Sequence, residues 1–225
     1  MKKGIIIASW ILILVSVGFL VSAVGIGNIL SYNSDDQTSI FQIKKGWNLI
    51  PTSGYRSETT CDMRNPELKK KAFIYSPTEK RYLKYLNEND YEIVKRDQDT
   101  KYRYISSGGG GIFMYSKVNC ELVTFVPTIN ENNKIAEGWN FIAIEPQMVG
   151  EKVKDAFHGK DCIITKMAAW DSINQEWVIE VGDNRDELGE SRIENSDIGF
   201  VYGVKYGYGC SLGLEEQEIT PPEIP

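Results

Sequence analysis

His158 is the only histidine of the chain, set in Phe157-His158-Gly159-Lys160-Asp161. Any Ser-His-Asp or Cys-His relay would have to run through it. No Gly-x-Ser-x-Gly elbow accompanies it, and His158 reads as a turn residue after a short helix. Carboxylates gather in two stretches: Glu88, Asp90, Glu92, Asp97 and Asp99, and later Asp183, Asp186, Glu187 and Glu190 beside Asn184. Such groups can perform acid–base work on a glycoside or ligate calcium through oxygen. Neither stretch has the Asp-x-[Asp/Asn]-x-[Asp/Asn]-Gly spacing, and both read as solvated acidic loops. The run Gly108 to Gly111 lacks the Gly-Lys-Ser/Thr that opens a phosphate-binding helix. Ile112-Phe113-Met114-Tyr115 follows it, so the run reads as a flexible entry into a strand. No catalytic residue, metal or cofactor is assigned, and the chain is expected not to be an enzyme.

Binding chemistry has more material, in the aromatics. Copy-specific tyrosines at 102, 104, 206 and 208 are the ligand-binding candidates, because ring faces beside acidic neighbours suit sugars and protein interfaces. Trp47, Trp139, Trp170 and Trp177 recur at matching places and read instead as framework. Trp47 and Trp139 are expected in the core. Tyr75 with Tyr82, and Trp170 with Trp177, are expected to pack across a hairpin.

The elements that must position these residues come in duplicate. Gly46-Trp47-Asn48-Leu49-Ile50 returns as Gly138-Trp139-Asn140-Phe141-Ile142, and Lys71 to Leu83 aligns without a gap on Lys166 to Val178. Each half carries two cysteines, Cys61 and Cys120, then Cys162 and Cys210. Zinc sites usually show close Cys-x-x-Cys pairs, and none occurs, so the cysteines read as disulfides. Four cysteines allow three connectivities. The duplication selects Cys61–Cys120 and Cys162–Cys210, one bond per copy. Alternating strands, a turn at Ser76 to Lys80 and its counterpart at Asp171 to Glu176, and closing strands at 112–115 and 200–202 make each copy mainly β. One short helix per copy is expected, over 66–72 and 151–157.

Gly-Trp-Asn-Leu-Ile, then Phe-Ile-Tyr-Ser-Pro with Arg-Tyr-Leu, then Gly-Gly-Gly-Ile-Phe-Met-Tyr, together resemble tandem β-rich modules of exported archaeal and bacterial cell-surface proteins. The resemblance covers nearly all of residues 40–214. It implies a fold and a surface context, and no activity. Three extra residues between Tyr202 and Cys210 are the departure from it.

The domain reading is therefore a signal peptide or transmembrane anchor at 1–30, a tether at 31–39, β-rich module one at 40–127, a linker at 128–134, module two at 135–214 and a disordered tail at 215–225. Lys2 and Lys3 precede an uncharged run from Gly4 to Leu30, 27 residues. Val21-Ser22-Ala23 offers a cleavage site, while the length suffices to span a bilayer. Both alternatives export the rest, to the outer side of the cell membrane or into the medium. The formal net charge of −6 becomes −8 without Lys2 and Lys3, which speaks against nucleic acid, where phosphate neutralisation dominates affinity. The expected function is a non-enzymatic cell-surface protein with a structural or adhesion role, with surface proteins or glycans as partners. A carbohydrate-binding module pair is one alternative. A pilin-like filament subunit is the other, from Lys3-Gly4 ahead of Ile5.

Overall fold

The structure, a computed structural model, describes residues 29–52, 60–61, 71–84, 87–105, 109–126, 133–159, 162–181 and 191–212. The N-terminal segment expected to be a signal or anchor lies outside these residues up to position 28. So do the acidic loop Asp183 to Glu190, the tail, and most of the linker and of the helix expected at 66–72. Among the described residues no helix is long and apolar enough to cross a membrane.

The chain is mainly β. Strands β1 (Ile29–Asn33), β2 (Thr38–Ile43) and β7 (Cys120–Phe125) form one sheet in the order β1-β2-β7. Strands β3 (Gly46–Pro51), β4 (Ala72–Ser76), β5 (Arg81–Lys84) and β6 (Gly111–Ser116) form a second, in the order β3-β6-β4-β5. Past the midpoint, β9 (Gly138–Ala143), β10 (Ile164–Asp171), β11 (Glu176–Val181) and β12 (Val201–Tyr206) form a third, in the order β11-β10-β12-β9. A short ribbon pairs β8 (Asn133–Ile135) with β13 (Cys210–Leu212). The two four-stranded sheets follow one pattern. Each places its Gly-Trp-Asn strand at one edge, the closing strand beside it, and the hairpin beyond.

Side-chain alternation along each strand sorts residues to two faces, and here both faces are covered. Ile50, Ile112 and Met114 turn from the second sheet toward Phe41, Ile43 and Leu122 of the first. Ile142, Ile144, Met167, Val204 and Tyr206 turn from the third sheet toward Ile135, Leu212 and helix α2 (Val153–Ala156). The opposite faces of the second and third sheets meet each other through Phe113, Phe141, Ala143 and Val201. One core is therefore shared between the halves.

Helix α1 (Glu88–Asp99) lies in the first half, and it replaces the acidic loop expected there. The Asn87 side chain accepts from the N–H groups of Asn89 and Asp90 and starts the helix, as an N-cap should. Ile93 and Val94 then cover Ile74, Leu83 and Tyr104. The carboxylates of α1 have structural employment: Asp90 accepts from Lys84 N at 2.9 Å and Arg81 Nη2 at 2.8 Å. Asp97 accepts from Arg96, Thr78 and the Tyr104 hydroxyl. The expected helix at 151–157 shortens to α2. The tether expected at 31–39 is in fact the β1–β2 hairpin, since Ser31 to Asn33 pair with Thr38 to Ile40.

The repeated Gly-Trp-Asn has one local cause in both places. Gly46 and Gly138 have φ of 112° and 94°, a region that favours glycine. The buried Asn48 amide donates to Lys44 O at 2.8 Å and Gly46 O at 3.0 Å. Asn140 donates to Ala136 O at 2.9 Å and Gly138 O at 3.0 Å. Each asparagine thus closes the turn that launches its strand. The disulfides join Cys61 to Cys120 and Cys162 to Cys210, as the duplication predicts.

Candidate functional site

A solvent-open cleft runs between the second and third sheets, and aromatic rings build it. Tyr75 and Tyr82 face each other across the β4–β5 pair, centroids 5.3 Å apart and 72° between planes. Trp170 and Trp177 do the same across β10–β11 at 5.5 Å and 74°. Between these pairs stand Phe113 and Phe141, edge to face at 5.6 Å. Phe113 reaches Trp170 at 5.3 Å and Trp177 at 5.7 Å, while Phe141 reaches Tyr75 at 5.4 Å. Contacts of this kind stabilise beyond the area they bury.

Two pockets open in the cleft. The first, about 390 Å³, is lined by Trp47, Phe73, Tyr82, Phe113, Trp170 and Trp177. The second, about 370 Å³, is lined by Tyr75, Tyr82, Trp139, Phe141, Lys166, Ala168 and Trp177. Tyr82 and Trp177 serve both and stay 46% and 39% exposed. Rings this large and this exposed, in a hollow, form the surface from which a ligand would displace water. Burial raises the pKa of Tyr82, and the neighbouring Tyr75 adds to the rise, so both hydroxyls of that pair remain neutral donors.

Polar contacts tie the two walls of the cleft together. The β10–β11 turn sends Gln175 across to β3, where its amide oxygen accepts from Trp47 N at 2.7 Å and its nitrogen donates to Trp47 O at 3.0 Å. The Trp170 indole donates to the same carbonyl at 2.9 Å. The glycine run, expected to be a flexible strand entry, is instead a tight seam over its described part. Gly109 O accepts from Ala143 N at 3.1 Å, Gly110 bridges Ile142, and a Cβ at Gly110 would fall 1.9 Å from Tyr104 O. Beneath the seam, the buried Arg103 guanidinium donates to Glu145, which also accepts from Gln147. Burial lowers the Arg103 pKa, and the Glu145 carboxylate opposes that change.

The tyrosines chosen from the sequence do not make this site. Tyr104 and Tyr206 are each 1% exposed, which rules out stacking on a ligand at the surface. Tyr104 donates to Asp97, and Tyr206 donates to Phe157 O at 2.9 Å. Burial raises the pKa of both phenols. Tyr102 is half-buried beside Tyr104, and Tyr208 is exposed in the turn between β12 and β13. The four are not brought together. Trp47, Trp139 and Trp170, expected as framework, are only half-buried and line the cleft with the exposed Trp177. Phe73, Phe113 and Phe141 were missed. For Phe113 the signal lies in Ile112-Phe113-Met114-Tyr115, apolar on both faces of a strand, which requires a covering layer on each side. His158 Nδ1 lies 3.2 Å from Cys162 O, beside the second disulfide.

Comparison with family models, with curated proteins and with solved structures finds no significant match.

Proposed function

We propose that the chain is an exported cell-surface protein of two tandem copies of one β module, which acts by binding through the aromatic cleft between the copies. One observation carries the reading: rings from both halves converge on a hollow that neither half lines alone. The matching strand orders and the identical Asn48 and Asn140 bonding support duplication. Two disulfides fit an oxidising compartment outside the cytoplasm. What the described titratable groups already do supports a role without turnover. The cysteines are oxidised and the buried carboxylates are engaged in structure.

The test uses the full chain. Binding of the purified oxidised protein to cell envelopes of the source strain should be saturable. It should fall at least tenfold in Trp177→Ala, while thermal melting drops little, because Trp177 is 39% exposed. Unchanged envelope binding in that variant would remove the cleft from the function. Intact cells should also yield the protein to external protease, and protection from it would remove the surface location.

A further inference from the structure

We propose that the first pocket of the cleft recognises a quaternary or otherwise alkylated ammonium group. The inference rests on reading the cleft as the binding surface. Among the described residues, every side chain lining that pocket is aromatic. A purely apolar ligand would be served as well by isoleucine, leucine or valine, which fill the other cores of this chain. Rings differ from those in offering a negative π face. The planes also stand steeply to one another: 86° for Phe113 and Trp170, 81° for Phe113 and Trp177, 74° for Tyr82 and Phe113. Steep angles turn ring faces and edges toward one hollow from several sides, where parallel rings would offer a slot. A methylated ammonium is round, carries diffuse charge and sheds water readily, and aromatic cages select that group.

Charge agrees. Among the described residues no charged side chain lines the first pocket, and the chain is net negative, −6. At its margin the cluster already holds a cation: Lys71 Nζ sits 4.7 Å from the Tyr115 ring centre, and Tyr115 packs edge-on against Trp47 at 5.3 Å. The second pocket supplies the contrast, since Lys166 lines it and Ala168 stands where the aligned position of the first half is Phe73. Its ammonium repels a second cation, which predicts one site per chain. A sugar would need partners for its hydroxyls. The first pocket offers the Tyr82 hydroxyl and three indole N–H groups, of which that of Trp170 is already given to Trp47 O.

Choline and 3,3-dimethylbutan-1-ol, in which carbon replaces the nitrogen, separate charge from shape. Titrated into the full oxidised chain and followed by tryptophan fluorescence and calorimetry, choline should bind one per chain. Its affinity should exceed that of the alcohol by at least about tenfold. Trp177→Leu keeps apolar bulk and should bring choline down to the affinity of the alcohol. Trp177→Phe should keep most of the preference, and Lys166→Gln should leave choline affinity at the first pocket within about twofold. Equal affinity for the two compounds, or a glycan bound when choline is not, would overturn ammonium recognition and leave the cleft as a binding surface. Two cholines per wild-type chain would overturn the exclusion by Lys166. Tight choline binding untouched by Trp177→Leu, in a variant that melts like the wild type, would place the cation elsewhere and overturn the proposal.

Discussion

Gly46 and Gly138 begin the two repeated motifs, yet they answer to different neighbours. Both have positive φ, which costs an alanine about 1–2 kcal/mol. A Cβ on Gly138 meets nothing within 4 Å, whereas on Gly46 it lands 2.5 Å from Gln175 Oε1. Gly46→Ala must therefore also displace the clamp on Trp47. Chemical denaturation should show it destabilising by about 2–4 kcal/mol, against about 1–2 for Gly138→Ala. Equal losses would mean that the clamp contributes nothing. Asp90 gives the pH counterpart. The Lys84 N–H, above all, with Arg81 holds its carboxyl below the usual carboxylate range, and burial opposes them only in part. A lowered folded pKa contributes stability that is fully present above the unfolded value near 4, and that is lost as pH falls through the folded value. Asp90→Asn should accordingly flatten the fall of melting temperature below about pH 4, and a parallel acid limb would refute the assignment.

At the level of elements, each disulfide ties an end of its half's last strand to the segment ahead of the hairpin. They close separations of 59 and 48 positions. Loops of that length make each bond worth about 4 kcal/mol in the chain-entropy description. Paired Cys-to-Ser replacement in either half should lower stability by about 2–5 kcal/mol, read by denaturant midpoint. The strands and these bonds were legible in the sequence because alternation and duplication are local or self-referencing signals. Helix α1 was not, since Glu88 to Asp99 is rich in charge and depends on the Asn87 cap and on cover for Ile74 and Leu83, which only the fold supplies. The cleft was half legible. Its tryptophans stood out by recurrence, but that recurrence suggested core. Tyr206 alternates in register with Tyr202 and Val204, a pattern that already placed it on an inner face.

Across the whole molecule the halves are joined by apolar rings at the cleft and by a buried charge pair behind it. Arg103 and Glu145 are 1% and 0% exposed by side chain. Removing the guanidinium leaves the buried Glu145 carboxylate without its countercharge, so Arg103→Met alone should cost about 3–5 kcal/mol, whereas Arg103→Met with Glu145→Leu should recover most of the loss. A double variant as unstable as the single would mean that the pair, rather than its desolvation, holds the seam.

The shared core also dictates an order of events during synthesis. Phe113 and Tyr75 emerge well before Phe141 and Trp170, which cover them. At about 5–20 residues per second the remaining chain takes several seconds to follow. For that interval the growing chain carries a ready-made adhesive sheet with no mate in the same molecule. Two neighbouring nascent chains are then as well suited to each other as each is to its own future second half. The rate at which the second half follows, and whatever shields the first until then, thus set how far pairing between chains can compete with closure within one.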